Sequence, residues 1–297
     1  MNIKKTLAAL TLVGAFGAVA SPIQLDVGQD YDGLIGGDPD SLTGFFDSFT
    51  FGITNPTSAY VDLDGNGLIE QGNLVFDSAF GVEVASLNYT TENELYNFPV
   101  SYTLFADYEF FGFAGFADGN NNGTHDNGED IGAQFVGGYV NMYMVDNLSN
   151  VVDHVLSTEV TGSSFDTGSN GINFSVDMDV VYVQDDFIFS QYAYYGETDF
   201  HDILANVANP EVTAQITTEI TNAGNAPTLD GNYVATGFQT YVLDQFFNTD
   251  AQTVDYLTRQ TTLNSANLSI NVPEPGSLAI FGLGLLGLAG AARRRKA

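Results

Sequence analysis

The clearest periodic signal in this chain has a spacing of two. Ser175 to Val183 reads SVDMDVVYV, which places Val176, Met178 and Val180 on one face and Asp177 and Asp179 on the other. Successive side chains of an extended strand point to opposite sides, so this alternation predicts a strand with one buried face. Val100 to Phe116, Gly138 to Val145, Val212 to Ile220 and Gly237 to Leu243 are read as similar β-rich runs, separated by clusters of Asn, Gly, Asp and Thr. A helix is expected around Asp199 to Val207, where Asn209-Pro210 ends it. Short strands broken by turn residues predict an all-β fold, an antiparallel β-sandwich-like domain. One domain over residues 21–271 is expected, with a split near residue 150 as the alternative.

Both ends break this pattern. Lys4 and Lys5 precede an uncharged apolar stretch from Thr6 to Phe16, and Ala18-Val19-Ala20 then offers small side chains to a signal peptidase. Residues 1–20 therefore read as a secretory signal peptide. At the other end, Pro273-Glu274-Pro275 is followed by the charge-free run Ser277 to Ala292 and then by Arg293-Arg294-Arg295-Lys296. The prolines fit neither helix nor sheet interior and mark an extended, accessible hinge. Sixteen residues of helix span roughly 24 Å against a bilayer core of about 30 Å. Four cations behind the run stay on the cytoplasmic side, so a single transmembrane helix is expected, helped by local thinning. Gly282 to Gly287 also fits G-x-G-x-x-G, but no strand precedes it, so the nucleotide-binding reading fails.

Residues 272–297 resemble the PEP-CTERM sorting signal, which combines a Pro-Glu-Pro motif, a short Gly/Leu-rich helix and a terminal Arg cluster. The resemblance implies that Pro273, Glu274 and Pro275 are read by a membrane exosortase. It implies a Gram-negative exported protein, held transiently in the inner membrane and then placed on the cell surface, in the extracellular matrix or in the medium. It implies nothing about the chemistry of residues 21–271. Thr261 to Asn271, TTLNSANLSIN, resembles the corresponding stretch of flocculation-associated PEP-CTERM proteins.

Charge narrows the partners. Between the two ends Arg259 is the only basic side chain apart from histidine, set against 36 Asp and Glu, a formal charge of −35. Such a surface repels nucleic acid and anionic lipid and attracts cations. Cysteine is absent, so stability must come from core burial and metal ions rather than from disulfides. The 23 Phe and 15 Tyr supply ample apolar area for that core.

The acidic residues are not evenly spread. In Asp118 to Glu129, oxygen-bearing side chains fall at Asp118, Asn120, Asn122, Asp126 and Glu129, with Gly123 at the sixth position and the Thr124 carbonyl at the seventh. That is the ligand spacing of a twelve-residue calcium loop, in which six to eight oxygens converge and the last Glu binds through both oxygens. Asp62, Asp64, Asn66, the Leu68 carbonyl and Glu70 repeat the spacing, but the twelfth position is Asn73 and a weaker site is expected. A metal-free turn is the alternative for both. Asp30, Asp32, Asp38 and Asp40 read as a solvated cluster.

Catalytic constellations are weak. Phe165-Asp166-Thr167-Gly168-Ser169 resembles an aspartic protease segment, yet no second copy exists, and Asn170-Gly171 suggests a hairpin turn. His125, His154 and His201 are scattered without metal-ligand spacing. No catalytic residue is assigned. The expected function is that of a non-enzymatic, calcium-stabilised surface or matrix protein in adhesion, flocculation or biofilm. The alternative is a secreted polysaccharide-binding module or hydrolase carrying the same tail, with extracellular polysaccharide as its partner.

Overall fold

In a computed structural model of the chain, the structure describes residues 22–28, 42–52, 55–89, 102–116, 118–126, 128–168, 171–192, 196–206, 212–221 and 226–271. The signal at 1–20, the Asp30 to Asp40 cluster and the tail from 272, with Pro273, Glu274 and Pro275, lie outside these residues. Among the described residues no helix is long and apolar enough to cross a membrane.

The strands are β1 (Ile23–Leu25), β2 (Phe46–Phe51), β3 (Thr57–Asp62), β4 (Leu74–Tyr89), β5 (Tyr102–Phe116), β6 (Ile131–Asp146), β7 (Val151–Gly168), β8 (Gly171–Val183), β9 (Ile188–Tyr192), β10 (Gly196–Asp199), β11 (Thr213–Ile220), β12 (Thr228–Leu229), β13 (Asp255–Gln260) and β14 (Leu263–Asn271). Two helices accompany them, α1 (Phe200–Asn206) and α2 (Gly237–Phe247). The chain is all-β and antiparallel, as the alternation predicts, but the sheet is a barrel rather than a sandwich. Strand β2 pairs with β14 along one edge and with the second half of β4 along the other, through Phe49↔Leu87 and Phe51↔Val84. The ring β2-β14-β11-β8-β7-β6-β5-β4 thereby closes on itself. A sandwich leaves edges open, whereas closure pairs them all. Sequence periodicity reports which face of a strand is buried and is the same for both, so it does not separate them.

Strand β4 makes closure possible. Its first half pairs with β3 through Ala59↔Phe76, and its second half pairs with β2. The register shifts between Ala79 and Val82, where the Gly81 N–H donates to Asp107 Oδ1 at 2.6 Å. Strands β3, β13 and β12 continue outward as one flap, and β1, β9 and β10 form another from the start of β2. Curvature on the far wall comes from Gly138, at φ 138°, where a Cβ would lie 2.3 Å from the Glu109 carbonyl oxygen. Only glycine lets β5 and β6 approach so closely at this bend.

Val176, Met178 and Val180 point into the barrel with Leu104, Val140, Leu156 and Leu268, all buried. Asp177, Asp179, Gln215 and Thr217 face out. This wall is the reverse of a lipid-facing strand, which is apolar outside.

Gly237 to Leu243 is helix, not strand. Thr236 caps α2 by accepting from the Gln239 N–H, while Gln239 Oε1 accepts from the Thr236 N–H, and Asn248 ends the helix in the left-handed conformation. This reciprocal cap satisfies two amide donors at once and outweighs the strand propensity of Phe, Thr, Tyr and Val. Helix α2 lays Val242 and Leu243 over Val61, Leu74, Phe76 and Tyr256 on the outside of the barrel.

The barrel interior is not wholly apolar. A cavity of about 60 Å³ is lined by Phe51, Phe110, Phe174 and Ile216 together with Ser58, Asp77, Tyr108 and Arg259. Asp77 accepts from Ser58 Oγ at 2.6 Å and from Tyr108 Oη at 3.0 Å. Arg259 donates to the Ile131 carbonyl at 2.9 Å and lies 5.9 Å from the Tyr60 ring centre. Burial raises the Asp77 carboxyl above its ordinary range, and the Ser58 and Tyr108 hydrogen bonds and the Arg259 charge only partly offset this. Arg259→Ala removes the compensating charge and is expected to cost about 3–5 kcal/mol at pH 7 in urea unfolding. The folded-state value for Asp77 then rises further above the unfolded one, so the stability linked to its protonation is present at low pH and lost as pH rises. The difference between wild type and variant should therefore shrink from pH 7 to pH 5. A gap that is constant or widens over that range contradicts this assignment.

Candidate functional site

The strands β3 and β5 carry the two acidic loops to the same end of the barrel. Strand β3 ends at Asp62, where the first loop begins, and the second loop, Asp118 to Glu129, joins β5 to β6. The loops touch. The His125 N–H donates to the Ile69 carbonyl at 2.8 Å, and Glu70 and Thr124 form an antiparallel bridge. Ile69 and His125 both stand eighth in their loops, so the contact relates equivalent positions of two similar turns.

Each loop is folded by its own acceptors in the same order. The first-position carboxylate takes the glycine N–H of the sixth position, Gly67 to Asp62 Oδ2 and Gly123 to Asp118 Oδ2, both at 2.7 Å. The fifth-position amide oxygen takes the seventh N–H, Leu68 to Asn66 at 2.7 Å and Thr124 to Asn122 at 2.9 Å. The twelfth residue donates its N–H to the ninth carbonyl in both, Asn73 to Glu70 and Glu129 to Asp126, each at 3.1 Å. In return the twelfth side chain accepts the ninth N–H, through Asn73 Oδ1 and Glu129 Oε2.

The second loop draws its ligand types together. Asn120 Nδ2 and Asn122 Nδ2 both donate to Asp126 Oδ2, at 2.6 and 2.9 Å, and Glu129 Oε1 accepts from the Gly119 N–H at 2.8 Å. These bonds tie Asn120 and Asn122 to Asp126 and Glu129 to Gly119, but they do not bring the carboxylates of Asp118, Asp126 and Glu129 within 4.8 Å of one another. In the first loop Asn66 Nδ2 reaches Asp64 Oδ2 at 2.8 Å and Glu70 Oε1 at 3.3 Å, a looser closure. Asp62 is buried, which alone would raise its carboxyl, but hydrogen bonds from Gly67, Asp64, Gly65 and Asn66 hold it below its ordinary range.

Residues 271–296 match the PEP-CTERM protein-sorting motif. The chain carries a PEP-CTERM tail. The motif marks an exported protein that is anchored transiently in the membrane and handled by an exosortase. No curated protein and no solved structure matches the chain.

The other sequence candidates fall elsewhere in the chain. Asp166 lies in the β7–β8 ladder opposite Asn173, with Gly168 opposite Gly171, so the described part of the protease-like segment is ordinary paired strand. His125 packs its ring edge on Phe116, 5.6 Å between centres. His154 stacks on Tyr182 at 4.9 Å and Ser157 Oγ lies 2.9 Å from its Nε2. His201 stands beside Asp185 and Asp199, a grouping invisible in sequence because the β9–β10 hairpin separates the partners.

The paired loops rest on glycines in the left-handed region, Gly67 at φ 74° and Gly123 at φ 82°. Gly123→Ala is expected to cost about 1–2 kcal/mol locally. Faster amide exchange at Thr124 and His125, with the global unfolding midpoint nearly unchanged, is the expected result.

Proposed function

We propose that this is a non-enzymatic protein of the cell surface or extracellular matrix, released from its tail by an exosortase and stabilised by calcium at its paired loops. Its role on this reading is adhesion, flocculation or biofilm formation. The sorting motif at residues 271–296 carries the route and the processing enzyme. The convergence of Asn120 and Asn122 on Asp126, closed by Glu129, supports calcium at the second loop. Asp62, Asp64, Asn66, the Leu68 carbonyl and Glu70 form the weaker partner, since Asn73 cannot supply a second carboxylate oxygen.

The net charge suits the same reading. A domain at −35 gains from any bound dication, because each one relieves repulsion among its carboxylates. Extracellular calcium modules work at about 10⁻⁴ to 10⁻³ M, the range in which an exported protein meets the ion. A polysaccharide-binding role is favoured by one observation: Tyr143, His154 and Tyr182 form a row of rings across β6, β7 and β8 on the outer wall, next to Asn141 and Ser157.

Millimolar calcium should raise the melting temperature of the purified protein, and chelator should reverse the rise. Glu129→Gln should abolish most of the shift, whereas Asn73→Glu should enlarge it by completing the first loop. A melt indifferent to calcium contradicts the metal assignment. Mass spectrometry of surface and medium fractions should find a product lacking residues C-terminal to the Pro-Glu-Pro segment. An intact tail in the mature protein would contradict the processing. A deletion strain that flocculates and builds matrix normally would remove the assigned role, and glycan capture by the purified domain would support the sugar-binding one.

A further inference from the structure

Between β8 and β10 the chain gathers a different set of donors. Gln184 is fixed by its N–H to the Val155 carbonyl at 3.0 Å, and Asp186 turns the backbone at φ 55°. Asp199 closes β10 and stands before α1, almost fully buried beside the wholly buried Phe200. Its two oxygens each accept one backbone N–H, Asp186 to Oδ2 at 2.8 Å and His201 to Oδ1 at 2.9 Å. Each oxygen keeps a second lone pair. Asp185, Asp199 and His201 present one carboxylate or imidazole atom each, all within 4.8 Å of one another.

Three observations point to a cation among them. His201 Nδ1 is itself shut off from solvent, in a side chain that is 45% exposed, and has no hydrogen-bond partner although it lies 3.4 Å from Asp185 Oδ1. A charge-assisted N–H···O bond would be about 2.7–2.9 Å. Two ligand atoms sharing one tetrahedral zinc at about 2.0–2.1 Å stand about 3.3 Å apart. The carboxylates of Asp185 and Asp199 face each other, with one oxygen of each within 4.8 Å of the other. No Lys or Arg can neutralise them, because Arg259, the only such residue of the domain, is committed to the Ile131 carbonyl and the barrel interior. A hollow lined by Asp26, Asp146, Asp153, Asp185 and Asp186 adjoins the group and concentrates cations at its mouth.

We infer that Asp185, Asp199 and His201 bind a transition-metal dication of the zinc type. One imidazole nitrogen with two carboxylates suits such an ion, whereas calcium calls for six to eight oxygens. Asp199 is pre-set by two amide donors, His201 follows it on the first turn of α1, and Asp185 closes from the solvent side, where its side chain is 72% exposed. The fourth position is left to water. The site is separate from the paired loops and does not depend on calcium binding there.

The test uses the full chain in detergent, stripped with chelator and titrated with Co²⁺ as a spectroscopic probe and then with Zn²⁺. One equivalent of Co²⁺ should give visible ligand-field absorption that Zn²⁺ displaces and excess Ca²⁺ does not. His201→Ala and Asp185→Asn should each weaken binding at least about tenfold. Asp185 is exposed, so its variant keeps the fold and guards against a trivial loss through unfolding. Glu129→Gln should leave the Co²⁺ signal unchanged while removing the calcium shift, which separates the two sites. Absence of absorption, or Co²⁺ affinity untouched by His201→Ala, would overturn the assignment.

Discussion

The interaction on which the rest of this molecule depends is the pairing of β2 with the second half of β4. Without it the strands from β4 round to β14 are an open sheet with two long edges, each a row of unpaired N–H and C=O groups. With it, both edges vanish and an interior appears. Strand β4 can serve two partners because it is sixteen residues long and shifts register at Ala79 to Val82, handing its outer edge from β3 to β2. The same division sends β3 and β13 off as a flap. That flap brings Arg259 against the barrel, where it partners the Ile131 carbonyl and faces Tyr60.

Closure also determines what the charges can do. Apolar side chains fill the inside and carboxylates are forced outward, so a domain at −35 holds its repulsion on a curved surface. Asp77 instead lines the interior cavity, kept there by Ser58, Tyr108 and the distant attraction of Arg259. Burial outweighs those partners, so the centre carries an energetic cost that its hydrogen bonds only partly offset. Other acids line the outer faces of the strands, as Asp177 and Asp179 do, or stand in the loops, and there they have no Lys or Arg to meet. Backbone N–H groups take that part, ordering Asp62, Asp118 and Asp199 in the same manner.

Local rules made much of this legible. Val176, Met178 and Val180 face inward as the alternation requires, α1 covers the expected segment, and Asn170-Gly171 marks a hairpin. The spacing of Asp118 to Glu129 predicts a turn around Gly123, and Gly123 lies in the left-handed region there. What failed was non-local or reciprocal. Barrel and sandwich share one periodicity and differ in a single pairing, between residues as far apart in sequence as Phe46↔Tyr89, Phe49↔Leu87 and Phe51↔Val84. Helix α2 hides in a β-favouring composition because its signal lies in Thr236 and Gln239 acting on each other's backbone. His201 looked isolated because Asp185 reaches it across a hairpin.

The contact between the two loops has a further physical meaning when set beside the sorting tail. On the proposed reading, affinities of about 10⁻⁴ to 10⁻³ M leave the loops metal-free wherever calcium is scarce and filled where it is plentiful. Ligand binding to the folded state alone adds RT ln(1 + [L]/Kd), so the stabilising term grows only after export. Loop Asp118 to Glu129 joins β5 to β6, while the first loop joins β3 to β4, the strand that closes the ring. A cation that tightens either loop therefore tightens a strand connection of the barrel, and the His125 to Ile69 hydrogen bond passes part of that ordering to the other. On that reading the fold is firmest at the place to which its tail delivers it.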